Sequence, residues 1–371
     1  MIGLNPSTRF LAECIRLQLD RGNKIHLHNY YNAISNPRQL FNDARYHKVV
    51  PCLGLGLNYM DDTLIDKDLH TMVQQRCTTI AERNSKSITE LVRLLNAFNA
   101  QGLEAIPYKG PALIAFYPGI ASRQFYDLDF IIRKCDIPRA IQLITELGYA
   151  AKTPDEVIHL NKTLAENNTV DFVHAGIDAE VDFHWTMTKS YYQLTIDMEA
   201  FWKQSSLQSF YGINTQVLST EDLLISTVIH HGIRNGWKKL MYLSDIAHLV
   251  QNYPALNWSG LIQSAVSHKV QRALLSGLAL ARNIFSISLP DHISALIDSN
   301  KAVQTIYRQC YRLLSGDLNN IQRTYLSLMV KVGMREGRVT RSKIFLRELV
   351  IMGAYFTERI YKKKHISHNY S

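Results

Sequence analysis

The sequence predicts an α+β protein: a small mixed sheet preceded by helices and followed by a larger helical domain. Three observations predict it. Apolar residues recur at helical spacing in the first hundred residues, short apolar or alternating segments crowd the stretch from 105 to 185, and helical spacing with a capping signal resumes at Ser219.

Taken in order, Phe10, Leu11, Cys14, Ile15 and Leu17 fall near one helical face. Ser87 and Glu90 form an S-x-x-E box ahead of Ile88, Leu91, Val92, Leu95 and Phe98, which marks a helix start, and Gly102 ends that helix. Residues 105–108 then read as a strand, Lys109-Gly110-Pro111 as a turn and 112–117 as a helix. A second strand is expected over 125–132 and a helix over 137–147, closed by Gly148. Two further strands, 169–174 and 179–185, flank the hairpin turn Ala175-Gly176-Ile177-Asp178. Ser219 with Asp222 opens a run of helices reaching about Tyr361, with turns near Gly212, Asn252 to Asn257, Pro290 and Gly316. The expected division is an N-terminal helical region (1–100), the sheet-bearing core (101–210), a helical domain (211–361) and a basic tail (362–371).

Composition narrows the function classes. With 371 residues, 46% hydrophobic and 20% charged, the chain can bury substantial cores, and dominant disorder is excluded. No apolar run reaches about 18 residues, so no membrane span is expected. Met1 to Thr8 lacks the features of a secretory signal, and a cytoplasmic location is the expectation. Cys14, Cys52, Cys77, Cys135 and Cys310 are scattered and form no C-x-x-C pair, which argues against a zinc module or disulfide framework and for small buried apolar residues. Of the net charge of +9, most lies in residues 321–371, where eleven Lys/Arg face three acids. That patch suits either a solvated helix face or an anionic partner such as RNA.

The sharpest local feature is Phe125-Tyr126-Asp127-Leu128-Asp129-Phe130-Ile131-Ile132. In a strand, residues two apart share a face with Cα atoms about 6 to 7 Å apart, so Asp127 and Asp129 converge. Leu128, Phe130, Ile131 and Ile132 would carry the strand into a core, where unpaired carboxylates are costly and a cation must stand beside them. A metal or a nearby arginine such as Arg123 meets that need, and Mg²⁺ suits one or two carboxylates plus substrate phosphates. Glu180-Val181-Asp182-Phe183-His184-Trp185 alternates ionisable and apolar residues. A neighbouring strand that brings Asp182 beside the first pair completes a three-carboxylate site able to hold two metals about 3.5 to 4 Å apart. Lys109-Gly110, where a strand hands over to a helix, offers a phosphate close backbone approach and a cation.

In this order and spacing, Tyr108-Lys109-Gly110, Arg123, Asp127-Leu128-Asp129 and Glu180 to Trp185 resemble the DNA polymerase β-type nucleotidyltransferase superfamily. Within it the chain is most similar to a bacterial nucleotidyltransferase-like family. That family also tends to carry a helical His…Gly-Trp…Leu…Asp signature, matched here by His230-His231-Gly232 to Trp237 and Leu243-Ser244-Asp245. The resemblance covers roughly residues 85 to 255.

The resemblance implies a nucleotidyltransferase core, with Mg²⁺ (or Mn²⁺) held by Asp127, Asp129 and Asp182. Asp182 would also be the base for the acceptor hydroxyl. Lys109, Gly110 and Arg123 would bind the NTP, and Glu180 and His184 would support Asp182 without ligating. The reaction is in-line attack on the α-phosphate by an acceptor hydroxyl of a small molecule, peptide or glycan, expelling pyrophosphate. Alternatives are an RNA-directed nucleotidyltransferase, such as a tRNA-modifying toxin using residues 321–371, and a non-catalytic binding module. One departure stands out: the superfamily turn is usually Gly-Ser or Gly-Gly, and here Pro111 removes a backbone N–H. His231 with Arg234, or Trp237 with Asp245, would pin the helical domain to the sheet or else contact a substrate.

Overall fold

Asn5 opens the first helix: its side chain accepts a hydrogen bond from the Thr8 amide at 2.8 Å, Pro6 follows, and the helix Pro6–Leu19 buries Phe10, Leu11, Cys14, Ile15 and Leu17 as their spacing requires. The computed structural model describes residues 3–20, 27–316, 318–337 and 339–350. Short helices follow up to the 34-residue helix Lys67–Ala100. This long helix corrects the expected start at Ser87. The cap is Asp66, whose carboxylate accepts from the Leu69 amide at 2.8 Å. No glycine or proline interrupts the chain between 67 and 100, so the helix runs on through Ser87 and Glu90. Glu90 turns inward and accepts from the Tyr149 hydroxyl at 2.6 Å instead of closing a capping box. Gln101 and Gly102, the latter at φ +62°, end the helix.

The sheet is mixed, as expected. Strands β1 (Ala105–Tyr108), β2 (Asp127–Ile132), β3 (Ala150–Ala151), β4 (Thr169–His174) and β5 (Ile177–His184) lie in the order β1-β2-β5-β4-β3. Only β2 and β5 run parallel; the other pairs are antiparallel. One face carries Leu128, Phe130, Ile132, Val181 and Phe183 into a core shared with Leu91, Leu94, Leu95 and Phe98 of the long helix. Phe98 meets Phe130 edge-on at 5.3 Å between ring centroids. Alternation then leaves Asp127, Asp129, Asp182 and His184 on the opposite face, the side on which Ile106, Tyr108 and Ile131 join the helical core.

A hairpin, β6 (Ser206–Phe210) and β7 (Ile213–Val217), occupies a stretch from which only a turn at Gly212 was expected. Tyr211 (φ +50°) and Gly212 (φ +83°) give its two-residue loop the left-handed geometry that such hairpins need. β6 is largely exposed and β7 half-buried around a polar centre, so no apolar alternation announced them; β7 is tied to the sheet by the buried Thr215 hydroxyl, which donates to the Ala105 carbonyl at 3.1 Å. Beyond it, Ser219 caps Thr220–Thr227, accepting from the Asp222 amide at 3.1 Å, and helices continue to Gly333 with breaks near 252–257, 290 and 316. The expected helical reading of 351–361 and the basic tail 362–371 lie outside the described residues. Cys14, Cys52 and Cys310 are buried free thiols and Cys77 is partly so, but Cys135 is exposed, against the expectation. Among the described residues no helix is long and apolar enough to cross a membrane.

Candidate active site

Strand register assembles the acidic face. In the parallel pair, Asp129 stands opposite Asp182 and Asp127 opposite Glu180; on the other side of β5, Asp171 of β4 stands opposite Asp182. Asp171, a third acid in that row, was missed by the sequence reading. The alternation of Thr169, Asp171 and Val173 with Val170 and Phe172 is the signal that could have found it.

Asp129 has no solvent exposure. Its Oδ1 takes two partners, Lys109 Nζ at 2.5 Å and His184 Nε2 at 2.9 Å, and these two lie 3.2 Å from each other. Among the described residues its Oδ2 has no partner, and neither has the buried Oδ1 of Asp182. Burial, then the neighbouring Asp129, Asp171 and Asp127, push the Asp182 carboxyl up to about 9. Repulsion from Asp129 and then burial raise the Asp127 carboxyl too, and burial raises that of Asp129. Burial opposes the charge of Lys109, but Asp129 overcomes it and holds the ammonium above its ordinary range. Burial and the charges of Lys109 and Arg234 keep His184 neutral, well below its usual value.

Fully ionised, these carboxylates would carry more negative charge than Lys109 balances, which together with burial is why their pKa values rise. Asp129, Asp182 and His184 each present a ligand atom within 4.8 Å of the others, a donor set that could hold a metal ion. The two orphaned carboxylate oxygens are what such an ion would satisfy, so the residues fit a divalent cation. The set differs from the expected one: His184 joins the close cluster and Asp127 stands beside it.

The turn leading into this face has its own logic. Lys109 adopts φ +53°, ψ −119°, a conformation costing a non-glycine residue of order 1–3 kcal/mol. Gly110 is needed for packing, since a Cβ there would stand 2.8 Å from Cβ of Phe125. Pro111 falls in the first turn of the helix Gly110–Ile114, where a backbone N–H has no intrahelical partner to lose.

The family described as "Uncharacterised nucleotidyltransferase" matches residues 35–286, most of the chain and all of the acidic face. The chain belongs to that family. A solved structure of the lincosamide antibiotic adenylyltransferase LnuA with lincomycin bound is similar to this nucleotidyltransferase over 43% of this chain and 94% of that one, with 15% identity and a TM-score of 0.30, too slight a likeness to build on. No curated protein matches significantly.

Two of the expected site residues go elsewhere in this nucleotidyltransferase. Glu180 is exposed and takes Lys152 Nζ at 2.6 Å, away from Asp129. Arg123 is buried and forms a bidentate pair with Asp245, Nε to Oδ1 at 2.6 Å and Nη2 to Oδ2 at 2.9 Å. His231 Nε2 (2.7 Å) and the Tyr117 hydroxyl (2.6 Å) complete the shell of Asp245. Against burial, Arg123 and His231 hold the Asp245 carboxyl well below the usual carboxylate range.

This network ties the segment entering β2 to the helix Leu240–Asn252. The histidines sit on a π-helical turn, Val228–Arg234, with their Nδ1 atoms 3.0 Å apart. Trp237 locks the turn by packing on two glycines: a Cβ at Gly232 or Gly277 would fall 2.8 or 2.6 Å from its ring. His230 and Arg234, which face the electrostatic field of Lys109 and His184, were not chosen as site residues from sequence.

Proposed function

We propose that this protein moves a nucleoside monophosphate from an NTP to an acceptor hydroxyl on a small molecule, peptide or glycan. The observation that carries the reading is the register of Asp129 against Asp182, with one unpartnered buried oxygen on each. Asp127, Asp129 and Asp182 would hold Mg²⁺ or Mn²⁺, one ion or two, because carboxylate oxygens suit both ions. Such an ion, when bound, stabilises charge on the α-phosphate and lowers the pKa of the attacking hydroxyl.

The chain's own residues supply the rest. Lys109, strained and held at the sheet edge, places its ammonium where a phosphate oxygen can take it over from Asp129. Gly110 brings the backbone close at the same turn. Burial and its acidic neighbours hold the proton on Asp182, and once a cation beside it lowered its pKa Asp182 would accept the proton of the acceptor hydroxyl. Arg123 acts on the site through Asp245, by fixing the irregular segment that leads into Asp127. The helices from Thr220 onward would form the acceptor side of the site.

A second reading, a binding module without turnover, is favoured by one observation: Lys109 already neutralises Asp129. RNA as acceptor has less support. Among the described residues, Lys331 pairs with Glu348 at 2.8 Å, Arg347 stacks on Tyr191 and Arg335 is buried, so these cations of the basic region serve internal contacts.

The experiment is incubation with each NTP labelled at the α-phosphate, Mg²⁺ or Mn²⁺ and a cell extract. Label transfer and pyrophosphate release by wild type, both lost in Asp127→Ala plus Asp129→Ala, are expected. Transfer that survives the double change overturns the mechanism, and a wild type that never releases pyrophosphate leaves the binding module.

A further inference from the structure

A cavity of about 310 Å³ lies between the N-terminal helices and the segment entering β2, lined by Asn42, Arg45, Tyr46, Arg76, Gln124 and Tyr126. It begins one residue before Asp127. Cations crowd its two tyrosine rings: Arg83 stands 4.3 Å and Lys48 5.4 Å from the Tyr126 centroid, and Lys239 stands 5.3 Å from that of Tyr46. Among the described residues none of Arg45, Lys48, Arg76 or Lys239 has a carboxylate within ion-pair distance, and Arg83 reaches only the exposed Asp178 at 3.6 Å.

Like charges held this close repel, and the cavity lining holds no carboxylate; Asp127 and Asp245 act on Lys48 from beyond ion-pair distance, and Asp178 reaches Arg83 from its exposed position. Burial and then Lys48 push Lys239 down to about 8, while burial lowers Lys48. The donors also converge. Arg76 Nη2 (3.2 Å) and Gln124 Nε2 (3.3 Å) both donate to the Tyr126 hydroxyl oxygen, which leaves the hydroxyl proton for an acceptor in the cavity. Lys48 is set in place by a left-handed C-cap, φ +59°, ending the helix Pro37–His47.

We infer that this cavity binds a phosphate-bearing group of a substrate, with Arg45, Arg76 and the Tyr126 hydroxyl as its donors and Lys48 as a flanking charge. Guanidinium forks with a hydroxyl donor match the several oxygens and high charge of phosphate. The inference rests on the nucleotidyltransferase reading for its purpose, since the cavity adjoins the carboxylates. The phosphate belongs either to the tail of the NTP or to a phosphorylated acceptor, and binding measurements separate these sources.

The test is calorimetric titration of tripolyphosphate, without divalent metal, into wild type, Arg45→Gln plus Arg76→Gln, and Tyr126→Phe, with circular dichroism to confirm folding. Loss of two charge-assisted contacts should weaken binding by at least about tenfold, and Tyr126→Phe should weaken it less. Arg76→Lys with Arg45 intact should retain part of the affinity. A non-hydrolysable NTP analogue that tripolyphosphate displaces, and that the double variant also binds more weakly, assigns the site to the NTP tail. An analogue whose Kd is unchanged in the double variant assigns it to the acceptor. Wild type that binds no tripolyphosphate, or a folded double variant that binds it as wild type does, overturns the inference. Asp127→Asn plus Asp129→Asn should keep tripolyphosphate binding, so failure of nucleotidyl transfer and failure of this site are read separately.

Discussion

Asp129 and Asp245 are both fully buried aspartates, each with a histidine and a cation against it, yet they are built for opposite ends. Both oxygens of Asp245 are satisfied by Arg123, His231 and Tyr117, and its carboxyl is held below its ordinary range. At Asp129 both partners crowd onto one oxygen, the other has none, and Asp127 and Asp182 add charge of the same sign. The difference shows how the same residue types make a lock when their valences close and a site when they remain open.

Breaking each centre should give opposite signatures. Asp245→Asn leaves Arg123 buried without its counter-charge and should cost about 3–5 kcal/mol in denaturant unfolding. Asp182→Asn removes a half-buried carboxyl whose buried Oδ1 has no partner among the described residues, so unfolding stability should hold or rise. Nucleotidyl transfer should nevertheless fall about 10³-fold or more, the equivalent of several kcal/mol of lost charge stabilisation. A large stability loss in Asp182→Asn would erase the distinction.

The lock can be probed more gently through its packing. Gly277→Ala drives a methyl against the Trp237 ring and should cost about 1–3 kcal/mol, read as a lowered Tm, with residual activity falling in step with the folded fraction. A smaller effect is expected from pH. His47 is buried, its Nδ1 accepts from the Leu240 amide at the start of the helix that carries Asp245, and burial, Lys239 and Arg323 lower its pKa to about 3. A depressed folded value means that its contribution is complete above the unfolded value near 6.5 and is lost as pH falls below it. Between pH 7 and pH 6 wild type should lose about 0.7 kcal/mol through this group, and His47→Gln should lose less over the same interval.

What the sequence made legible follows from range. The convergence of Asp127 and Asp129 on one face, the hairpin between β4 and β5 and the cap at Ser219 are written in neighbouring residues, where period and capping chemistry act directly. The start of the long helix was misread because a local box at Ser87 and Glu90 competes with an uninterrupted run of helix formers, and tertiary contact with Tyr149 decided the matter. Arg123 was set beside the paired aspartates because they needed a cation nearby. The fold gives that place to Lys109, 20 residues upstream of Asp129, and sends Arg123 to an acid 122 residues away. Such pairings depend on which strands and helices meet, which no local pattern encodes. The β6–β7 hairpin escaped for a different reason: β6 is exposed, and the one buried position of β7 is a polar threonine, so neither strand shows an apolar face in the sequence.

The claim that Asp129 anchors an open cation site for nucleotidyl transfer is tested most directly by Mn²⁺ binding, followed by electron paramagnetic resonance with a non-hydrolysable NTP analogue present. Wild type should sequester Mn²⁺, and folded Asp129→Asn plus Asp182→Asn should bind it at least about tenfold more weakly. Equal Mn²⁺ binding by the two proteins, or none by wild type, would contradict it.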